Sequence, residues 1–151
     1  MRGARGRAPG LRVLREARTW IGTPYVHQAS CRGAGTDCLG LLRGIWRACI
    51  GPEPELVPPY TADWAEPAQR EVLDEAARRW LRPVAPGGEA AGDVLLFRMR
   101  AGGIAKHLGI ATDIGPGAHF IHAYSGHGVI ESPLSEPWRR RLAGRFRLPI
   151  D

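Results

Sequence analysis

No apolar run in this 151-residue chain is long enough to cross a bilayer, and its first ten residues, basic and glycine-rich, lack the apolar core of a signal peptide. The expectation is a protein made in the cytoplasm with no membrane span. Cysteine is scarce: there are three, an odd number, with no paired Cys-x-x-Cys spacing, which argues against a disulfide framework or a cysteine-based zinc site and leaves Cys31 and Cys49 as free thiols. Zinc-finger and RNP motifs are also missing. The formal charge of +6, mostly arginine and densest in residues 1–18 and 138–147, therefore marks a surface that attracts polyanions of any kind and does not single out nucleic acid as a direct ligand. What is present is ordinary globular composition, 44% hydrophobic and 24% charged, in a chain long enough to bury a core without disulfide support.

Residues 1–10 read as a flexible basic arm and residues 11–151 as one domain. Leu11, Leu14, Ala17 and Ile21 mark a first helix that stops near Gly22 and Pro24. A second helix begins at Cys38. The proline-rich stretch through Pro58-Pro59-Tyr60 cannot continue it and reads as an extended connector. From Pro67 another helix follows, with Val72, Leu73, Ala76, Ala77, Trp80 and Leu81 on one face, which makes Trp80 a core residue. The period then changes. Gly92–Phe97, Lys106–Ala111 and Phe120–Tyr124 are short apolar runs bounded by glycine or proline turns, and Val129–Glu131 and Phe146–Ile150 complete the candidates for strands. Helices first and an antiparallel meander afterwards predict an α+β fold, N-terminal helices packed on a sheet of about five or six strands.

Chemistry concentrates at Gly35-Thr36-Asp37-Cys38-Leu39-Gly40-Leu41-Leu42. Leu41, Leu42, Ile45, Trp46 and Cys49 follow Cys38 at helical intervals, and Thr36 or Asp37 can cap the helix they define. Cys38 then sits in the first turn, where unpaired amides and the helix dipole favour a thiolate. A buried cysteine is more often a small hydrophobe than a nucleophile. His107 and His122 shift that balance, because they occupy two strands joined through Gly115-Pro116-Gly117. A hairpin centred near Ile114-Gly115 sets them directly opposite; a centre one residue further separates them by two positions on the same face.

These segments resemble the NlpC/P60 cysteine peptidases in four ordered elements spanning residues 20–124: Trp20-Ile21-Gly22-Thr23-Pro24-Tyr25, Asp37-Cys38-Leu39-Gly40, His107-Leu108-Gly109-Ile110 and Phe120-Ile121-His122-Ala123. The resemblance implies a papain-like core and a metal-free, cofactor-free amide hydrolase. Cys38 would be the nucleophile, His107 its general base or imidazolium partner, and His122 the group that orients His107. Tyr25, otherwise an ordinary half-buried aromatic, would polarise the substrate carbonyl together with the Cys38 amide, and Asp37 would meet the free amine of a peptidoglycan stem peptide. Leu39 departs from the serine usual after the cysteine, which puts stem-peptide specificity in question.

The Asp-Cys-Leu-Gly-Leu start and the Pro-Pro-Tyr segment look like the compact NlpC/P60 peptidases of tailed phages and gene transfer agents. That likeness implies incorporation into a phage-like particle, a tail-tip or baseplate hub protein as partner, and action on the wall of the target cell during DNA delivery. The alternative expectation is a catalytically silent tail component that keeps the peptidase fold.

Overall fold

The computed structural model describes residues 2–55 and 71–150, with side chains from residue 9 onward. Pro58-Pro59-Tyr60 and the predicted helix start at Pro67 lie outside the described residues. Among those described, the helices are α1 (Arg2–Thr19), α2 (Cys38–Cys49), α3 (Val72–Trp80) and α4 (Glu136–Arg140). The strands are β1 (Ser30–Cys31), β2 (Gly35–Thr36), β3 (Arg82–Pro83), β4 (Val94–Arg98), β5 (Ala105–Ala111), β6 (His119–Tyr124), β7 (Gly128–Pro133) and β8 (Leu142–Arg147). β1 and β2 form a small hairpin; the other six make one sheet in the order β3-β8-β4-β5-β6-β7, antiparallel throughout.

The sheet separates two apolar layers, as period-two alternation dictates. Val94, Leu96, Leu108, Ile110, Ile121, Ala123 and Val129 face α1, α2 and α3 and build the main core with Val13, Leu14, Ala17, Trp20, Leu41 and Ile45. The intervening residues Leu95, Phe97, Ala111 and Phe120 face the opposite side, where Leu134, Trp138 and Leu142 cover them. Three helices on one face and a short α4 on the other is the α+β arrangement expected from the order of elements.

Four details differ from the sequence pattern. α1 extends back to Arg2, across the stretch read as an arm, and it meets the sheet's loops where Gly10 and Gly92 bring two backbones together: a Cβ on Gly10 would lie 2.3 Å from the Ala91 carbonyl oxygen. The buried face of α1 is Val13, Leu14 and Ala17, continued by Trp20 just past its end, while Leu11 and Ile21 are exposed. Trp80 is 38% exposed and not core, because α3 ends there and the extended Leu81 turns into the core in its place. The Trp80 indole instead donates to the Glu55 carboxylate. The last strand begins at Leu142, earlier than the apolar run Phe146–Ile150 suggests, and it does not extend the meander beyond β7. β8 returns across the sheet to pair with β4, and a β-bulge interrupts that ladder between Leu96 and Phe97.

α2 is seated by glycines on its buried side. A Cβ on Gly44 would stand 2.0 Å from the Trp20 ring, so α1 and α2 approach through an indole laid over a bare backbone. Gly44→Ala should therefore cost about 1–3 kcal/mol through overpacking, read as a lower urea midpoint, whereas Gly33→Ala should owe any loss to its positive φ alone, since open space surrounds it.

Candidate active site

Asp37 caps α2. Its backbone is extended, its Oδ1 accepts from the Gly40 amide at 2.7 Å, and its Oδ2 accepts from the Gln28 amide at 2.7 Å. Of the two caps the sequence allowed, the aspartate is used, and Thr36 instead gives its hydroxyl proton to the Asp37 carbonyl. Gly40 is required by closeness: a Cβ there would overlap the Ala29 carbonyl oxygen at 1.9 Å. The loop before the cysteine is thus pressed against the first turn of the helix, and Cys38 occupies the first helical position, 5% exposed.

The sulfur lies where the sheet opens. β5 and β6 pair at Ile110↔Ile121 and Ala111↔Phe120, and among the described residues their pairing goes no further toward His107. Ala111 exchanges hydrogen bonds with Gly92 and Asp93 on the β4 side, so alternation turns the Leu108 N–H and the Lys106 carbonyl toward β6. With β6 diverging, Cys38 takes that position. Its thiol lies 3.9 Å from the Lys106 carbonyl oxygen, and the Leu108 amide donates to the sulfur. The two peptide groups flanking His107 therefore hold the cysteine.

The histidines project to the other side of the same opening. The observed register centres the hairpin one residue beyond Ile114-Gly115, which makes His107 and His122 diagonal neighbours on one face. His107 Nε2 and His122 Nδ1 are 2.8 Å apart, and His122 Nε2 is 2.8 Å from Ser132 Oγ on β7. The second nitrogen of His107, Nδ1, is left for other chemistry. Trp138 from α4 roofs the pair, with ring centroids 5.6 Å from His107 and 5.2 Å from His122, among Phe97, Phe120 and Tyr124. Neither Ser132 nor Trp138 stood out in the sequence. Ser132 fell one residue past the predicted strand, and Trp138 fell between the last two predicted strands; the alternation of β7, continued one step, would have found the serine.

Burial dominates the electrostatics. It pushes the Cys38 thiol up to about 12, with the Asp37 carboxylate adding in the same direction, while the amides of Leu108, Leu39 and Cys38 itself pull it down. It lowers His107 to about 3, aided by His122, and His122 to about 4, aided by His127. At neutral pH the resting pair is a thiol and a neutral imidazole. Tyr25 stands beside Thr36 through an isolated bridge and packs against the core that includes Cys38. Burial, then Cys38 and Asp37, raise its phenol to about 12, so it remains a hydrogen-bond donor. Asp37 itself is buried behind Cys38, with the half-exposed His27 ring 3.9 Å from Oδ2. Among the described residues no group of three or more His, Cys, Asp or Glu side chains could hold a metal ion.

The depressed histidines tie stability to pH. Unfolded, both take up protons near pH 6.5; folded, neither does until about 3–4, so between those limits the unfolded state binds more protons and stability is lost as pH falls. Stability, followed through the urea midpoint, should drop steadily from pH 6.5 to pH 4, by up to about 1.4 kcal/mol per pH unit for each histidine. A His107→Gln/His122→Gln double variant should show a flatter profile, and Trp138→Ala, which lets water reach the pair, should flatten it in part.

No protein-family profile matches the chain. In sequence it is 32% identical over 131 residues to the murein DD-endopeptidase MepS/murein LD-carboxypeptidase of Escherichia coli K12, a match covering 86% of this chain and 58% of that protein. It is 30% identical over 133 residues to the gamma-DL-glutamyl hydrolase of Bacillus subtilis 168, covering 87% of this chain and 28% of that protein. The chain thus spans little more than half the length of the first relative and about a quarter of the second. Among solved structures, the NlpC/p60 domain of the peptidoglycan hydrolase SagA superposes with a TM-score of 0.61 at 24% identity, over 92% of this chain and 98% of that domain. The chain has the NlpC/P60 fold.

Proposed function

We propose that this chain is an NlpC/P60-type cysteine peptidase that hydrolyses amide bonds in peptidoglycan stem peptides. The observation that carries this reading is the seat of Cys38: a helix-first-turn thiol in the opening between β5 and β6, flanked by the peptide groups of His107, whose ring is already bonded to His122 at 2.8 Å. The murein endopeptidase and glutamyl hydrolase among its relatives support the substrate class.

Because the resting thiol and imidazole are both neutral, the reaction begins with proton transfer. His107 Nδ1 takes the Cys38 proton as the sulfur attacks the amide carbonyl, so charge develops only when the substrate is in place. The Leu108 amide stabilises the sulfur as it becomes anionic, and the Cys38 amide, turned toward its own sulfur in the resting site, receives the carbonyl oxygen together with the Tyr25 hydroxyl. His107 then returns its proton to the leaving amine. A water, deprotonated by the same nitrogen, cleaves the thioester and restores the thiol. The substrate amine would approach Asp37 from the His27 side, and Leu39 replaces a hydroxyl contact with an apolar one at the cleft.

We also propose delivery to the wall by a phage-like particle through a tail-tip or baseplate hub protein, a reading supported by the Asp-Cys-Leu-Gly-Leu start. A silent structural role in such a particle is the second reading, and the 5% exposure of Cys38 together with Leu39 favours it. Digestion of purified sacculi with fragment mass analysis separates the two. The peptidase reading predicts peptide release by wild type, none by Cys38→Ala, and a loss of about two to four powers of ten in His107→Ala; no release from wild type, alone or in particles, contradicts it. Delivery predicts the chain in purified particles, and particles lacking it exclude that role.

A further inference from the structure

We propose that Ser132 is a positioning residue that selects the tautomer of the His107–His122 pair and thereby aims the bare nitrogen of His107 at Cys38. The inference rests on the assignment of Cys38 and His107 as the reacting pair. Two neutral imidazoles joined by one hydrogen bond have two polarities, and the same distances fit both. In one, His107 Nε2–H donates to His122 Nδ1, His122 Nε2–H donates to Ser132 Oγ, and His107 Nδ1 carries a lone pair. In the other, Ser132 donates to His122 Nε2, His122 Nδ1–H donates to His107, and His107 Nδ1 carries the proton. Only the first can accept the thiol proton.

Ser132 is the remote end of this chain of contacts. The rings within centroid distances of 4.2–5.4 Å of His122, those of Phe120, His107, Trp138 and Tyr124, enclose it, and the bonds to His107 and Ser132 are its two ring-nitrogen contacts among the described residues. Ser132 lies on β7, the edge of the sheet, and is only partly buried, so its own proton can be given to water while its oxygen receives the His122 N–H. In the reverse polarity the hydroxyl proton goes inward and water donates to the outward lone pairs, so the direction is set by the reaction's need for a bare His107 Nδ1. The same direction serves the reaction. When His107 takes the thiol proton and becomes a cation, His122 Nδ1 is already accepting from Nε2–H, and the serine oxygen accepts at the end of the polarised chain. Deleting that oxygen leaves His122 Nε2 without its partner in an aromatic enclosure, and the two tautomers then compete.

The test reads the tautomer directly. Protein labelled with 15N in histidine should show, at pH 7.5, both His107 and His122 with the protonated nitrogen at Nε2. Ser132→Ala should shift those ring resonances toward the opposite or an averaged tautomer and lower kcat about tenfold with KM within twofold, the size of one lost hydrogen bond to a charged group. Ser132→Thr, which keeps the hydroxyl, should restore both. A wild-type His107 protonated at Nδ1, or a Ser132→Ala spectrum identical to wild type, overturns the proposal. If the ring resonances respond as expected while no protein cleaves wall peptides, tautomer selection stands and the peptidase reading fails.

Discussion

The divergence of β5 from β6 is the constraint on which the site depends. An antiparallel pair normally satisfies every inward amide and carbonyl, and a segment that stops pairing inside a protein must find other partners. Here the ladder closes at Ile110↔Ile121, and the sulfur of Cys38 takes the position vacated beside Leu108 and Lys106. That substitution does several things at once. It pins the first turn of α2 to the sheet, gives the sulfur an amide donor, and sets it at the strand that bears His107. The opening also lets imidazoles on the opposite face bridge β5 and β6, so the His107–His122 bond closes a gap that the backbone leaves.

Enclosure by apolar and aromatic groups sets the resting charge state. Desolvation outweighs the backbone amides at Cys38 and is the largest cause lowering both histidines, leaving thiol and imidazole neutral. Such a site stores no ion pair. Charge separates when a carbonyl arrives to receive it, and the donors that meet that charge, the amides of Cys38 and Leu108 and the Tyr25 hydroxyl, are fixed in advance by the helix start, by β5 and by the Tyr25–Thr36 bridge. Trp138, reached by a five-residue helix on the far side of the sheet, keeps water from the pair.

Much of this arrangement was legible in the residues. The spacing after Cys38 defined α2, the aspartate before it supplied a cap, and alternation with a glycine-proline turn put both histidines on one face. The register between two allowed alternatives was not legible, because it depends on how a turn closes. Trp80 misled because a periodic face does not say where a helix stops; with α3 ending at that residue, Leu81 takes the buried place. The return of β8 to β4 is long-range pairing that no local pattern encodes. Ser132 and Trp138 reach the histidines from β7 and α4, so their contacts appear only once β6, β7 and α4 are assembled.

The most direct test of the central claim uses a stem-peptide fragment carrying an electrophile in place of the scissile carbonyl, followed by mass mapping of the modified cysteine. Cys31 is exposed and Cys49 partly so, whereas Cys38 is buried, so accessibility alone favours the wrong residues. The account predicts a single adduct on Cys38 that disappears in His107→Ala. Labelling of Cys31 or Cys49 with Cys38 untouched would contradict it.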